Sequence, residues 1–190
     1  MKNIKTLAVF LLIAASAAAG FFWTKNNLES EGKKTDNTGN PTPTAKPAPN
    51  YPKTIGNFLI TDKEVCEEEG KPLIYFFGSS SCPHCTWEKP IVQKVVKKFG
   101  NEIVYKENYD ETPDEEMFLK YSNINPGYIP FLVFGCKYVR VGGGEQLGTT
   151  GEESKKLEEE ALTAIICKLT DQKPSSVCVP LEEKISEIED

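Results

Sequence analysis

The stretch KPLIYFFGSSSCPHC, residues 71–85, decides how this chain folds. Its first seven residues, 71–77, form an apolar and aromatic run that lies between two glycines. Such a run is typical of a strand that is buried on both faces of a sheet. Cys82 and Cys85 follow closely, so the two cysteines are predicted to lie just beyond the end of a buried strand.

A helix is predicted to begin at the cysteines. Pro83 suits the first turn of a helix, because a backbone N–H there has no partner within the helix. Apolar residues then recur at helical spacing over residues 87–99, and Gly100 follows them as a stop signal. Pro90 falls inside this helix and is expected to kink it, since proline cannot donate the backbone hydrogen bond.

Further strands and helices follow in alternation. They are a strand, a helix, a hairpin and a closing helix, over residues 102–108, 112–122, 128–144 and 152–169. In the second helix Thr112 is the expected cap and Pro113 the first helical residue. The hairpin is expected to turn at Gly135 and Cys136, because glycine suits the first position of a type II′ turn. This order predicts an α/β fold.

Several of these features together resemble thioredoxin. Cys82 and Cys85 form a Cys-x-x-Cys motif at a strand-to-helix junction, and Pro90 comes eight residues after the first cysteine. Ile129 and Pro130 open the predicted hairpin, and a helix closes the domain. This combination is far more specific than a lone Cys-x-x-Cys motif.

The resemblance covers about residues 54–169 and implies a thioredoxin-like fold, in which helices flank a central mixed β-sheet. It also implies that the peptide bond between Ile129 and Pro130 is cis and faces the dithiol, an X-Pro bond being the usual setting of a cis peptide. Pro130 then keeps a backbone N–H away from the sulfurs. The backbone of Ile129 is left to pair with an extended substrate chain.

The sequence departs from thioredoxin in two respects. The dipeptide Pro83-His84 resembles that of periplasmic thiol oxidants, which carry a large helical insertion between dithiol and cis-proline. Only 47 residues lie between Cys82 and Pro130, which leaves no room for the insertion. Thioredoxins also commonly carry an acidic residue six positions before the first cysteine, where this chain has Phe76. The buried proton acceptor is therefore missing or supplied from elsewhere.

The predicted position of Cys82 favours the thiolate that disulfide exchange requires. A sulfur at a helix start faces unpaired backbone N–H groups and the positive end of the helix dipole. Pro83 and His84, between the cysteines, are the expected tuning residues, and a polar or protonated imidazole favours the anion further. Whatever stabilises the thiolate stabilises the reduced protein, so the disulfide becomes a stronger oxidant. Cys85, one turn further along, is the expected resolving cysteine.

Two other readings of the motif remain open. Cys82 and Cys85 are also half the ligand set of a structural zinc site, although Cys167 and Cys178 are too far apart in sequence to supply a matching second pair. The motif is alternatively a purely structural disulfide. No nucleotide or flavin motif is present, and the sequence predicts neither a metal nor a cofactor.

The other four cysteines are expected to form structural disulfides, since an oxidising compartment allows an even set of six to pair completely. A bond between Cys167 and Cys178 closes a short loop and pins the tail to the last helix. In a thioredoxin-like sheet, the segment with Cys66 and the turn with Cys136 meet at the end opposite the dithiol. The resemblance thus implies a bond between them, two separate half-buried thiols being the alternative.

The N-terminus has the layout of an export signal. Lysines precede an uncharged run, residues 6–23, within the segment 1–23. The run is long enough to span a bilayer and ends in the aromatic residues 21–23, which favours an uncleaved anchor to the cytoplasmic membrane. The small residues 17–19 offer a cleavage site, so a cleaved and secreted protein is the alternative.

Composition divides the rest of the chain. Residues 24–53 are rich in Pro, Thr and Asn and predict a flexible linker. Residues 54–172 are long enough for one core, and 173–190 are expected to form a C-terminal tail. The net charge of −6, without a basic stripe, argues against a nucleic-acid partner. The acidic runs 67–69 and 158–160 are expected to be solvated helix faces.

The sequence therefore predicts an extracytoplasmic thiol–disulfide oxidoreductase that exchanges disulfides with exported, cysteine-containing proteins. A membrane redox partner is expected to recycle the dithiol. The alternative is a non-enzymatic thioredoxin-like binding or assembly module whose cysteines only staple the fold. The direction of exchange stays open, because the Pro-His dipeptide favours oxidation or isomerisation whereas the compact domain resembles a reductant.

Overall fold

The computed structural model of the protein describes residues 50–189. The expected signal or anchor, residues 1–23 with its uncharged run 6–23, and residues 24–49 of the expected linker lie outside the described residues. None of the helices in residues 50–189 combines the length and the apolar character that crossing a membrane requires.

The described chain is an α/β domain with one mixed sheet. Its six strands are Leu59–Ile60 (β1), Glu67–Glu68 (β2), Lys71–Gly78 (β3), Val104–Tyr109 (β4), Phe131–Phe134 (β5) and Tyr138–Val141 (β6). Its α-helices are Pro83–Phe99 (α1), Glu115–Leu119 (α2), Gly151–Leu169 (α3), Ser175–Cys178 (α4) and Glu182–Ser186 (α5). The sequence did not predict the two-residue strands β1 and β2, which are too short to show a pattern.

β3 lies at the centre of the sheet. It pairs in parallel with β4 and antiparallel with β5. The sheet continues from β5 to β6 and then to β1, all antiparallel, while β2 pairs with the first residues of β3. The parallel pair places the carboxyl ends of β3 and β4 at the same edge of the sheet, where the dithiol lies.

The aromatic run of β3 is buried on both faces, as its composition predicts. Ile74 and Phe76 belong to the core between the sheet and the helices α1 and α3. Leu73, Tyr75 and Phe77 belong to a second core on the opposite face, under α2. Successive side chains of a strand alternate between faces, so each face needs apolar residues here. Burying a phenylalanine such as Phe76 completely contributes roughly 2 to 3 kcal/mol.

Helix α1 begins and ends as the sequence predicts. Cys82 is its cap, Pro83 its first residue, and Gly100, with φ of 53°, ends it in a conformation that favours glycine. The apolar stripe faces the sheet, with Val92 and Val95 fully buried. The helix continues as one element through Pro90.

Helix α2 is shorter than predicted. It begins at Glu115 with Asp114 as its N-cap residue, instead of being capped by Thr112. The side chain of Asn108 explains the delay, because its Oδ1 accepts the backbone N–H of Asp114 and its Nδ2 donates to the Asp114 carboxylate. These bonds hold the chain in a turn before the helix.

The β5–β6 hairpin turns through three residues, Gly135–Lys137, and not through the two predicted. Phe134 pairs with Tyr138, and both Gly135 (φ 55°) and Cys136 (φ 59°) adopt positive φ. A type II′ turn needs positive φ only at its first central residue, so the predicted type was wrong as well.

The C-terminal residues, expected as a tail that the Cys167–Cys178 disulfide pins to the last helix, are folded onto the domain as short helices. Helices α4 and α5 pack against α3, and Ile185 and Ile188 are buried in the larger core. The Cys167–Cys178 disulfide joins α3 to α4, with a Cα separation of 5.6 Å. The polar composition of this segment concealed these few apolar contacts.

Neither acidic run is a solvated helix face, because part of the first forms a strand and one residue of the second is buried. Glu67 and Glu68 are exposed but form the strand β2. Glu158, in α3, is completely buried, whereas Glu159 and Glu160 lie at its partly exposed side. The expectation for Glu158 was wrong because a buried arginine binds it.

Candidate active site

The candidate site is the disulfide between Cys82 and Cys85, at the junction of β3 and α1. The strand ends at Gly78, and a turn through residues 79–81 leads to the helix. Cys82 occupies the cap, one residue before the first helical position, and its Sγ accepts the backbone N–H of Cys85 over 3.1 Å. The Cα atoms of the two cysteines are 5.2 Å apart.

The two sulfurs differ in access. Cys82 is partly exposed, whereas Cys85 is completely buried. Gly78 permits this burial, because a Cβ at its position would lie 3.2 Å from the Cβ of Cys85 and from the ring of Phe76. Phe76 thus lies behind the dithiol, where thioredoxins commonly carry an acid. One reachable sulfur beside one protected sulfur is the arrangement that a nucleophile and its resolving partner require.

Asp110 fixes the turn that precedes Cys82. Its Oδ1 accepts hydrogen bonds from the Ser79 hydroxyl at 2.8 Å, and from the backbone N–H and hydroxyl of Ser80 at 2.8 and 3.1 Å. The Ser80 backbone bond, followed by the Ser79 bond, holds the pKa of Asp110 below its usual value. Sequence reasoning missed Asp110. The available signal was an aspartate directly after the strand that pairs in parallel with β3.

Ile129 and Pro130 lie against the dithiol. Their peptide bond is cis, and the carbonyl oxygen of Ile129 lies 3.7 Å from the Sγ of Cys82. Pro130 is buried at the start of β5, while Ile129 is 36% exposed. Ile129 is therefore both near the Sγ of Cys82 and exposed to solvent.

A buried asparagine holds the loop before Ile129. The Oδ1 of Asn125 accepts the backbone N–H groups of Gly127 and Tyr128 at 3.1 and 2.7 Å. Its Nδ2 donates to the Tyr128 carbonyl at 2.9 Å. Asn125 is 1% exposed, so water competes little for the groups that form these hydrogen bonds. Sequence reasoning did not identify this residue.

An apolar cleft of 360 Å³ opens beside the dithiol. It lies between the end of β3, the helix α2 and the proline loop. Its apolar walls are Phe77, Phe118, Leu119 and Ile129, and its rim includes Asp110 and Glu115. Leu119 is 57% exposed and presents solvent-accessible apolar surface to the cleft. The cleft suits an extended chain with an apolar side chain next to a cysteine.

A larger cleft of 630 Å³ lies elsewhere, between α1, α3 and the C-terminal helices. Its charged groups are already paired, since Lys94 and Lys98 each lie 2.6 Å from Glu159. No cysteine or histidine lines it. The smaller cleft is the candidate binding surface, because it is lined by Ile129, whose carbonyl lies against Cys82.

His84 lies between the two cysteines and is mostly exposed. Its Nδ1 is 2.7 Å from Oε2 of Glu145, in the loop that follows β6. Sequence reasoning predicted His84 as a tuning residue but did not identify Glu145. No local pattern joins two residues that are 61 positions apart.

A buried ion cluster lies one helical turn beyond the dithiol. Arg140 donates to Glu88 at 2.9 Å and to both oxygens of Glu158 at 2.7 and 2.6 Å. Its remaining bonds go to the backbone carbonyls of Gly56 and Gly142, at 3.0 and 3.1 Å. All five N–H donors of the guanidinium are therefore used. The cluster ties β6 to α1, to α3 and to the segment before β1.

Burial is the main influence on the charge of this cluster. It raises the pKa of Glu88 well above the usual value, against the opposing effect of Arg140, and the nearby Glu158 raises it further. Glu88 is thus the buried acid nearest to the motif in sequence, three residues after Cys85. Sequence reasoning missed the cluster, although the three consecutive glycines after β6 were a signal. A side chain at Gly143 would collide with Glu88, and one at Gly144 would collide with Glu158.

The other cysteines pair away from the site. The disulfide between Cys66 and Cys136 has a Cα separation of 5.3 Å and lies at the opposite end of β3. Together with Cys167–Cys178, it leaves no free cysteine in residues 50–189. The same part of the chain contains no cluster of His, Cys, Asp or Glu suited to a metal ion.

Comparison with known proteins assigns no family, because the chain matches no protein-family model, no curated protein and no solved structure. The functional assignment therefore rests on the residues and geometry of the dithiol site.

Proposed function

We propose that the protein is an extracytoplasmic thiol–disulfide oxidoreductase with a thioredoxin-like fold, acting through Cys82 and Cys85. One observation carries the proposal. A partly exposed sulfur caps a helix, its disulfide partner is fully buried, and a cis-proline loop lies against the exposed sulfur. A disulfide that only stabilised the fold would not need this difference in access.

The topology supports a thioredoxin-like fold. The strand before the dithiol is central, its parallel neighbour is β4, and the proline loop leads into an antiparallel hairpin at its other side. The helix after the dithiol and the closing helix pack on the same face of the sheet. These relations agree with the resemblance carried by the sequence motifs.

The reaction is an exchange of two electrons between disulfides. In the reducing direction, the Cys82 thiolate attacks a substrate disulfide, a new S–S bond forms and one substrate sulfur leaves as a thiolate that takes a proton from water. Cys85 then loses its proton and attacks the Sγ of Cys82, which releases the second substrate thiolate. The protein ends oxidised and the substrate reduced. The same steps in reverse oxidise a substrate dithiol.

The site supports a protein substrate. The accessible backbone of Ile129 offers hydrogen bonds to an extended chain, and the cleft beside it takes an apolar side chain. We infer that exported, cysteine-containing proteins are the substrates, and that a membrane redox partner renews the dithiol. Anchoring through residues 6–23 would hold the domain on the outer side of the membrane.

A trapping experiment tests the proposal. The full chain carrying Cys85→Ser should accumulate a mixed disulfide with a disulfide-bonded peptide, because Cys82 still attacks the peptide disulfide and only the resolving step is lost. The variant Cys82→Ser should form no adduct and should reduce no insulin. Adducts on Cys85 of the latter variant would reverse the role assignment.

The same experiment addresses the alternative, a binding or assembly module whose disulfides only stabilise the fold. In that case mild reductant would leave Cys82–Cys85 closed, and neither variant would trap a peptide. A single rapidly alkylated thiol at Cys82 after mild reduction supports exchange.

A further inference from the structure

His84, which lies between the two cysteines, is paired with a carboxylate from another part of the chain. The Nδ1 of His84 lies 2.7 Å from Oε2 of Glu145, whose side chain is 25% exposed. The proposed exchange activity gives this contact its importance, because a positive imidazole next to Cys82 stabilises the thiolate and makes the disulfide more oxidising.

Glu145 belongs to a loop that is fixed on both sides. This glycine loop, residues 142–148, begins at Gly142, whose carbonyl accepts a bond from Arg140. The backbone N–H of Gly144 donates to Glu88 at 3.0 Å. The loop is therefore tied to the helix that carries the dithiol, directly before Glu145.

Ser154 fixes the other side of Glu145. Its hydroxyl donates to the Glu145 carbonyl at 2.8 Å and accepts the backbone N–H of Gly148 at 3.1 Å. Ser154 is 1% exposed, in the first turn of α3. Because the backbone of Glu145 is held by buried partners, its carboxylate reaches His84 from a fixed position.

The charges around the site make this pairing specific. On the other side of the motif, the carboxylate of Asp110 accepts hydrogen bonds from Ser79 and Ser80. Glu88 and Glu158 are occupied by Arg140. Among the described residues, Glu145 is the carboxylate that contacts the imidazole.

We propose that Glu145 is a positioning residue that restrains the His84 ring and offsets its positive charge. The dithiol is then a weaker oxidant than a Pro-His dipeptide with a free imidazole would be. A carboxylate beside an imidazolium gives a pair with no net charge, and its field at Cys82 is smaller than that of the imidazolium alone. This relation accounts for an oxidant-type dipeptide on a compact domain that resembles a reductant.

Redox titration of the full chain against glutathione tests the proposal. Replacing Glu145→Gln removes the charge and keeps an oxygen that accepts a hydrogen bond. The equilibrium constant should shift about two- to fivefold toward the reduced protein, the range expected for a partly exposed ion pair. The matched control is Glu152→Gln, which removes an equal charge from a side chain that is 92% exposed and lies 3.6 Å from Lys155. The control should leave the constant unchanged.

A double-mutant cycle separates pairing from a general charge effect. In the background His84→Ala, the change Glu145→Gln should no longer shift the equilibrium. An unchanged constant for Glu145→Gln, a shift toward the oxidised protein, or an equal shift in the His84→Ala background would each overturn the proposal. So would an equal shift in the Glu152→Gln control.

A measurement on the unmodified chain gives an independent test. His84 is the single histidine, so its ring nitrogens give one unambiguous NMR signal each. The neutral ring should carry its proton on Nδ1, donated to Glu145. A proton on Nε2 would contradict the proposal. If the unmodified chain failed to equilibrate with glutathione, the exchange function itself would fail, whereas the outcomes above refute the role of Glu145 in a working oxidoreductase.

Discussion

The Sγ atom of Cys82 lies 3.7 Å from the carbonyl oxygen of Ile129. Under the proposed function, a substrate chain that pairs with the backbone of Ile129 would bring its own cysteine next to Cys82. Small displacements of this loop should then affect both substrate binding and disulfide exchange. The loop has no regular secondary structure to hold it and depends on the side chain of Asn125.

Replacing Asn125→Ala should loosen this loop. The change removes one donor and leaves two backbone N–H groups and one carbonyl without partners, at a cost of about 1 to 3 kcal/mol. We expect a slower exchange with peptide disulfides and a smaller effect on exchange with glutathione, which makes few backbone contacts. Stopped-flow measurement of both rates tests this. The matched control is the exposed Asn123, and equal slowing by Asn123→Ala would contradict the prediction.

Replacing Arg140→Met should destabilise the domain strongly. Glu88 and Glu158 are fully buried and would lose their shared counter-ion, which typically costs about 3 to 5 kcal/mol. Urea denaturation measures the change. Replacing all three residues of the cluster with apolar ones should cost less than Arg140→Met alone, because no buried charge is then left unpaired. A larger loss in the triple variant would show that the cluster stabilises the fold by its charges.

Glu88 should give the domain a characteristic pH dependence. Its folded-state pKa is raised, mainly by burial, so the folded chain retains a proton that the unfolded chain has released above about pH 4.5. Stability from this group is therefore present at low pH and is lost as the pH rises through the folded pKa. Urea midpoints should fall less steeply across about pH 5 to 8 in Glu88→Gln than in the unmodified chain. Identical slopes would show that Glu88 titrates normally.

Replacing Gly144→Ala should destabilise the fold by about 1 to 3 kcal/mol, because the new methyl group overlaps the carboxylate of Glu158. It should also move Glu145 away from His84. Gly151→Ala is the control, since a Cβ there meets nothing within 4 Å at the start of α3. Alanine at Gly151 should be neutral or slightly stabilising. Thermal denaturation measures the change in stability of both variants. Equal changes in the two would contradict the steric argument.

Removing the Cys66–Cys136 disulfide by changing both cysteines to alanine should destabilise by about 4 kcal/mol, since the bond spans 70 residues. The bond lies at the opposite end of β3 from Cys82, so the alkylation rate of reduced Cys82 should stay nearly unchanged. The equivalent change at Cys167 and Cys178 spans 11 residues and should cost about 3 kcal/mol. Differential scanning calorimetry and timed alkylation provide the two measurements. A large fall in the alkylation rate would place the first disulfide within the active site.

Local patterns in the sequence predicted the elements that carry the motif. The continuous apolar run of β3 and the helical spacing of apolar residues in α1 are both signals that depend on neighbours in sequence. The start of α2 was misplaced, because the side chain of Asn108 bonds to Asp114 and delays the helix. Asn108 and Asp114 are only six positions apart, but a bond at that spacing is not one of the capping patterns by which a helix start is recognised in a sequence.

The candidate site was predictable where its residues are contiguous and where the resemblance to thioredoxin supplied Ile129 and Pro130. Cys82, His84 and Cys85 form one motif, whereas Glu145 and Asp110 reach it from segments that the sheet brings close. The acidic run 158–160 led to the wrong prediction that Glu158 is exposed, because such a run is typical of a solvated surface. Only the facing arginine, far away in sequence, makes its burial tolerable.

The burial of Cys167 and Cys178 bears on how copies of this protein behave toward one another. Both sulfurs are fully enclosed, so the Cys82 thiolate of a neighbouring molecule cannot reach them. Among the described cysteines, attack by another copy is thus confined to Cys66 and to Cys82 itself, which are partly exposed. Under the proposed function, the Cys167–Cys178 bond is therefore protected from exchange between copies.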